Sequence, residues 1–274
     1  MLTGPAGSGK TTIVLDQLRR SLAEHSTGAR LLTPTATMAE HVRNRIVREG
    51  FVLRPSAVLT LSKFTDEWTD TPRVSDPALF LAVEHVVDCL KPSAFARVAG
   101  MPGFTSLMAA TIQELSAAGV TAQTLVVEGA VQEAFRSVFA ALEADIARRG
   151  WSLQSARMEE AAGRIRSQGL GDVRTVWMDG FFSLTDPELR VVAAISQHAS
   201  MVVTLPDYPG CAETRDRLLG LGFTELRLEA KRAPGPAEVF AARTVDDEAE
   251  EIARLVLEEA AGGRQFREIG VLVR

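Results

Sequence analysis

The chain has 274 residues, of which 46% are hydrophobic and 24% charged, and its formal net charge is −5. This composition is typical of a globular protein with one large domain or two small ones, and it excludes a disordered tail, a fibre and a collagen-like repeat. No apolar run reaches the roughly 18 to 20 residues that a membrane-spanning helix needs, and the first residues do not form a basic-then-apolar leader, so we expect a cytoplasmic protein. The two cysteines are far apart and have no ligand-spaced neighbours, which favours free thiols over a disulfide or a zinc site.

The first part of the chain alternates between predicted strands and helices. A glycine-rich loop opens a helix that carries one apolar stripe and runs to about His25. A short buried strand is predicted over Arg30–Thr33, a second amphipathic helix follows and ends at Gly50, and another strand is predicted over Ala57–Leu61. Such alternation is typical of an α/β protein with a parallel sheet and helices on both faces.

Helical periodicity dominates the middle of the chain, and the alternation then resumes. Residues 66–170 are predicted to form an all-helical insertion, which includes a long amphipathic helix over Ala130–Arg149. The sequence therefore predicts a sheet domain in two parts, 1–65 and 171–235, followed by residues 236–274 as the start of a second domain. The later predicted strands are Val173–Met178, Met201–Leu205, Glu225–Leu228, Val239–Ala242 and Ile269–Arg274, and the later predicted helices are Asp186–His198 and Asp246–Ala261.

The glycine-rich loop has the spacing of a phosphate-binding loop. Gly4, Gly9, Lys10 and Thr11 match the pattern G-x-x-x-x-G-K-[ST]. In such a loop, backbone N–H groups surround phosphate oxygens, the lysine reaches the outer phosphates and the hydroxyl binds Mg²⁺. ATP and Mg²⁺ are the predicted cofactors, and the alternative is a loop kept only as a tight turn. The predicted nucleotide-binding residues are Gly4, Pro5, Ala6, Gly7, Ser8, Gly9, Lys10, Thr11 and Thr12. Only three residues precede Gly4, so we expect its strand to be shortened or to begin upstream in a longer protein.

A nucleotide-hydrolysing enzyme also needs an acidic residue at the tip of a buried strand. Asp179 follows the predicted strand Val173–Met178, so Asp179 and Thr11 are the predicted Mg²⁺ ligands. A second carboxylate usually lies beside the first, but Gly180 follows Asp179. Asp186 and Glu188 are possible replacements, although we favour Asp186 as a helix cap with Pro187 in the first turn. ATP binding is therefore better supported than hydrolysis.

These motifs in this order resemble the first motor half of superfamily 1 helicases. The segments that carry the resemblance are the phosphate loop, Leu32–Thr35, Leu59–Phe64, Met178–Phe181, Thr185–Glu188, Glu248–Ala253 and Arg267–Arg274. Among these helicases, the chain is most similar to the AddB subunits of bacterial AddAB helicase-nucleases. The family's nuclease domain and iron–sulfur cysteines have no counterpart in these residues and are not carried over.

The resemblance implies a RecA-like domain split by a helical subdomain. It also implies a complex that processes double-strand DNA ends for recombinational repair, with DNA and an AddA-like helicase-nuclease subunit as partners. Subunits of this type are regarded as degenerate helicases, which agrees with weak or absent hydrolysis. Arg274 matches the place where related motors direct an arginine at the γ-phosphate. A self-contained P-loop ATPase, DNA translocase or phosphotransferase is the alternative.

Two groups of residues after the second strand are candidate contacts to single-stranded DNA. Related motors touch the DNA backbone near this point, and arginine favours phosphate. A solvated helix face would explain the arginines equally well. The candidates are Thr33, Thr35 and Thr37, and on the following helix Arg43, Arg45 and Arg48.

Overall fold

The computed structural model describes residues 1–230 and 237–272. Its contacts divide the chain into two units, Met1–Arg232 and Ala233–Arg274. The first unit contains a six-stranded sheet, and all of its strands run parallel. The strand order is β3-β2-β4-β5-β1-β6. The strands are β1 (Leu2–Gly4), β2 (Ala29–Thr33), β3 (Val58–Thr60), β4 (Thr175–Met178), β5 (Ser200–Pro206) and β6 (Leu226–Arg227).

Helices connect the strands of the first unit. They are α1 (Lys10–Ala23), α2 (Ala36–Arg48), α3 (Leu61–Asp66), α4 (Asp76–Leu90), α5 (Phe104–Ala117), α6 (Ala130–Arg148), α7 (Gln154–Gln168), α8 (Asp186–Ser196) and α9 (Ala212–Gly220). Helices α3 to α7 all lie between β3 and β4 in the chain. The predicted α/β fold is confirmed, because a parallel sheet with flanking helices is consistent with a RecA-like domain.

The residues of β4 show how the sheet is covered on both faces. Successive side chains of a strand point to opposite faces. Trp177 accordingly packs in an apolar cluster with residues of α1 and α2, such as Leu18 and Ile46. Its neighbour Val176 packs in a second cluster with residues of α7 and α8, such as Ile165. Both faces of the sheet are therefore buried, as parallel sheets require.

Helices α4, α5 and α6 have an apolar core of their own. Leu79 of α4, Ile112 of α5 and Phe139 of α6 are fully buried in this third cluster. Helix α7, although it lies in the same stretch of chain, packs with the sheet: Met158, like Ile165, belongs to the cluster of β4. The helical stretch therefore contributes both to a separate core and to the cover of the sheet.

Buried polar contacts fix the entry to α7. Arg157 is 6% exposed, and its guanidinium pairs with Asp66 at 2.6 Å and donates to the carbonyl of Thr71. These contacts join the end of α3 to a helix that is 91 residues away in the chain. Arg157 is the buried member of the pair, whereas the Asp66 side chain is 37% exposed.

The second unit contains the helix α10 (Val245–Ala261), whose N-cap is the side chain of Thr244. The strand that we predicted over Val239–Ala242 is wrong, because these residues are in irregular structure and Val239 is 96% exposed. Residues 269–272 of the last predicted strand are also irregular, and Val273 and Arg274 lie outside the described residues. A strand needs a partner for its backbone hydrogen bonds, and the described part of this unit contains none. No helix of the described chain is both long and apolar enough to cross a membrane.

Candidate functional site

The predicted phosphate loop connects β1 to α1 at the carboxyl edge of the sheet. Gly7 and Gly9 have positive φ angles of 76° and 90°, and Gly9 is the N-cap of α1. The first intrahelical bond of α1 runs from the N–H of Ile13 to the carbonyl of Gly9. Within the described residues, the N–H groups of the first three helical positions, Lys10, Thr11 and Thr12, donate to no protein acceptor. Three N–H groups at the positive end of a helix dipole are thus available to an anion.

The Lys10 side chain folds back onto the loop. Its Nζ donates to the carbonyl oxygens of Gly4 at 2.6 Å and Pro5 at 2.9 Å, and to Ser8 Oγ at 3.1 Å. Burial lowers the pKa of Lys10 below its ordinary value, and the negative charges of Asp179 and Asp207 act in the opposite direction. The ammonium group therefore lies over the loop among oxygen acceptors, where it could exchange these carbonyls for phosphate oxygens.

The structure brings together the two predicted Mg²⁺ ligands. Thr11 Oγ1 donates to Asp179 Oδ1 at 3.2 Å, although the two residues are 168 positions apart. Asp179 is 2% exposed and directly follows β4, and its N–H donates to the carbonyl of Leu32 on β2 at 3.0 Å. A hydroxyl and a carboxylate are oxygen ligands of the kind that Mg²⁺ takes. This donor set, together with the loop, fits a nucleotide phosphate with its Mg²⁺.

Thr204 of β5 also contacts Asp179, and no sequence pattern led us to expect this contact. Its Oγ1 donates to Asp179 Oδ1 at 2.6 Å. The available signal was weak: Thr204 is a hydroxyl residue within the otherwise apolar segment 201–205. Threonine is common in exposed strands as well, so only the pairing of β4 with β5 shows that this hydroxyl reaches the carboxylate.

A side chain at the position after Asp179 would be strained, and it would displace Met38. Gly180 has a φ of +89°, a left-handed conformation that L residues rarely adopt. A Cβ there would lie 2.4 Å from Cε and 2.6 Å from Sδ of Met38. The sequence shows that a glutamate is missing at this position, and the structure shows that the backbone does not suit one.

The two carboxylates that could replace this glutamate are engaged elsewhere. The cap of α8 is Thr185, so our prediction that Asp186 is the cap is wrong. Asp186 is the first helical residue, and it pairs with Arg217. Glu188 completes a capping box by accepting from the Thr185 N–H at 2.8 Å. The capping-box pattern S/T-x-x-E in residues 185–188 would have identified this arrangement.

The candidate DNA-contacting threonines differ in exposure. Thr33 is fully buried, and its hydroxyl donates to the carbonyls of Thr35 at 3.1 Å and Leu59 at 3.3 Å. Thr35 is exposed but caps α2, because its Oγ1 accepts from the Met38 N–H. Thr37 is exposed in the first turn of α2. The hydroxyls of Thr33 and Thr35 thus already make hydrogen bonds within the protein.

The candidate arginines lie towards the other end of α2. Arg43 donates to the carbonyl of Val58 at 3.2 Å, at the amino end of β3. Arg45 pairs with Glu49 at 3.5 Å, and Arg48 is exposed in the last turn. A helix of this length extends about 18 Å. The arginines and the phosphate loop therefore lie near opposite edges of the sheet.

Comparison with curated proteins gives one distant match at a significant level, whereas comparison with family models gives none. Over 255 residues, the chain is 28% identical to a protein of Moorella thermoacetica that is named as the B subunit of an ATP-dependent helicase/deoxyribonuclease. The alignment covers 82% of this chain and 21% of the relative, so the chain spans about a fifth of the length of the curated relative that it matches. The similarity is distant, and it supports a relationship to helicase/deoxyribonuclease B subunits.

Proposed function

We propose that this chain is the ATP-binding region of a subunit that takes part in processing DNA ends, and that it binds Mg²⁺-ATP with little or no hydrolysis. The observation that carries the proposal is the approach of Thr11 to Asp179 at 3.2 Å, beside a loop with three N–H groups that donate to no acceptor in the described part of the chain. The proposal is supported by this contact between residues from two distant segments of the chain. The distant relative is named for an ATP-dependent helicase and deoxyribonuclease, which agrees with a nucleotide site.

Each group of this site has a role in nucleotide binding. The N–H groups at the start of α1 would hold phosphate oxygens, and Lys10 would exchange its loop carbonyls for the outer phosphates. Thr11 would hold the Mg²⁺ directly and Asp179 would hold it through water. The ion supplies charge neutralisation between phosphate groups when it is bound.

The surroundings of Asp179 support weak hydrolysis. A general base must lie within hydrogen-bond reach of the attacking water, or one water molecule away. Gly180 has no carboxylate, Asp186 pairs with Arg217, and Glu188 caps α8. Asp207, whose charge acts on Lys10, pairs with Arg227. These contacts favour a nucleotide-binding role over the alternative of a self-contained ATPase or phosphotransferase.

We also propose that the chain works with DNA and with a partner helicase-nuclease subunit. The relative's name describes one subunit of a larger enzyme, which implies an assembly for that protein. Within the DNA-contacting set, Thr37 and Arg48 are exposed, and the described residues make no ion pair with Arg48. These two positions are the better candidates for backbone contacts.

The test is Mg²⁺-ATP binding and steady-state hydrolysis by this chain, with and without single-stranded DNA. Lys10→Ala removes the phosphate-loop lysine, and Lys63→Ala, an exposed lysine on α3, is the matched control. We expect binding that is lost in Lys10→Ala and kept in Lys63→Ala, with negligible turnover. DNA-stimulated turnover would refute the non-hydrolysing role, and binding that does not depend on Lys10 would refute the nucleotide site.

A further inference from the structure

The Thr204 hydroxyl on β5 contacts Asp179, but the proposed function gives it no role. Thr204 is 3% exposed, and its neighbours Val203 and Leu205 are 0% and 1% exposed. Burying a hydroxyl without a hydrogen bond costs free energy, so the hydrogen-bond partners of Thr204 indicate its role. The 2.6 Å bond to Asp179 is charge-assisted and short, which makes it stronger than a bond between neutral groups.

The same hydroxyl also accepts a hydrogen bond. The N–H of Gly180 lies 3.4 Å from Thr204 Oγ1. The register explains both contacts, because Met178 pairs with Val203 and Asp179 therefore lies opposite Thr204. Thr204 thus joins the carboxylate of Asp179 to the backbone turn that follows it.

The two bonds to Asp179 go to the same carboxylate oxygen. Oδ1 accepts from Thr11 at 3.2 Å and from Thr204 at 2.6 Å. Oδ2 accepts from no group among residues 1–230 and 237–272. The carboxylate is therefore fixed through one oxygen, and the other is left for a further ligand.

We propose that Thr204 is a positioning residue, which orients the Asp179 carboxylate so that Oδ2 receives the water shell of the Mg²⁺ that accompanies the nucleotide. This inference rests on the proposed function. Groups that orient a metal-binding carboxylate typically change metal affinity by ten- to a hundredfold when they are removed. Serine keeps the donor, whereas valine keeps the volume and loses the donor.

The experiment measures binding of a fluorescent ATP analogue as a function of Mg²⁺ concentration, using the full chain. We expect Thr204→Val to raise the Mg²⁺ concentration for half-maximal binding about tenfold, and Thr204→Ser to leave it close to wild type. Binding in excess chelator should not change. Thr214→Val is the matched control, because Thr214 is also 3% exposed and its hydroxyl accepts from the distant Leu184 N–H at 3.1 Å.

A double-mutant cycle with Asp179→Asn separates positioning from general destabilisation. If Thr204 acts through the Asp179 carboxylate, Thr204→Val adds little to the Mg²⁺ defect of Asp179→Asn. If Thr204→Val does not melt cooperatively, Thr204→Ala takes its place in the same cycle.

The inference is overturned if Thr204→Val has a normal Mg²⁺ dependence, if Thr214→Val shifts it equally, or if the two effects in the cycle are additive. If nucleotide binding is lost in Lys10→Ala but its Mg²⁺ dependence is unchanged in Thr204→Val, this inference is overturned and the proposed function stands. No nucleotide binding by the wild type would overturn both.

Discussion

Replacing Gly180 by alanine tests the geometry that follows Asp179. The new Cβ would need a left-handed backbone, which costs about 1–2 kcal/mol. It would also lie 2.4 Å from Met38 Cε. The end of a methionine side chain can move, so we add about 1 kcal/mol, at the lower end of the cost of overpacking.

The expected loss for Gly180→Ala is therefore about 2–3 kcal/mol, which corresponds to a decrease in Tm of roughly 5–10 °C for a unit of this size. Gly50→Ala is the matched control, because Gly50 has a φ of +92° but no atom within 4 Å of the place that a Cβ would take. It should lose about 1–2 kcal/mol, from the backbone alone.

Urea and thermal unfolding of both variants measure the difference. Met38→Ala should cost about 1 kcal/mol less in the Gly180→Ala background than in the wild type. Equal losses at the two glycines, with no coupling to Met38, would show that the contact with Met38 does not exist and that only the left-handed backbone disfavours a side chain at this position.

Three further outcomes follow from side chains outside the loop. Glu188→Ala should lose about 1 kcal/mol of stability because it removes the capping box, and an unchanged free energy of unfolding would refute this role. Arg157→Ala should lose about 1–2 kcal/mol in urea unfolding because it removes hydrogen bonds to Asp66 and to the Thr71 carbonyl, together with the packing of a buried side chain. Arg164→Ala, on the surface of the same helix, should lose less than about 1 kcal/mol, and equal losses would contradict the reasoning. Hydrogen bonds to Glu225 hold its pKa at about 2, below its usual 4.5, so the stability it contributes is complete above pH 4.5 and disappears as the pH falls towards 2. Glu225→Gln should therefore lower Tm at pH 7 and have little effect at pH 2, and a constant difference at every pH would refute the assignment.

Local patterns predicted the parallel sheet and the glycine turn that begins α1, whereas nucleotide binding by that turn stays a prediction. The segment around Thr11 matches a motif whose geometry is set by glycines and a helix start, and the apolar run before Asp179 is that of a buried strand. Both depend on contacts within a few residues. Their meeting at 3.2 Å follows from the order of the strands, which places β4 and β1 on either side of β5.

The wrong strand prediction and the contacts that we did not predict all depend on residues that are far apart in the chain. Val239–Ala242 is apolar enough for a strand, but pairing depends on a neighbour that no local pattern specifies. Thr204 lies 25 positions from its partner Asp179 in the chain, and Gly180 lies 142 positions from its neighbour Met38. Sequence periodicity does not describe contacts of this range.

The edge strand β6 has a consequence for dissecting this protein into fragments. It is two residues long, yet it pairs with β1, and the Leu228 N–H donates to the carbonyl of Thr3 at 2.8 Å. A Cβ on Gly4 would lie 2.5 Å from the Leu228 carbonyl oxygen, so this segment passes directly beside the phosphate loop. A fragment that stops before residue 226 would leave the β1 edge open to pairing with other chains. A fragment that keeps the edge of β1 paired therefore extends at least through Leu228.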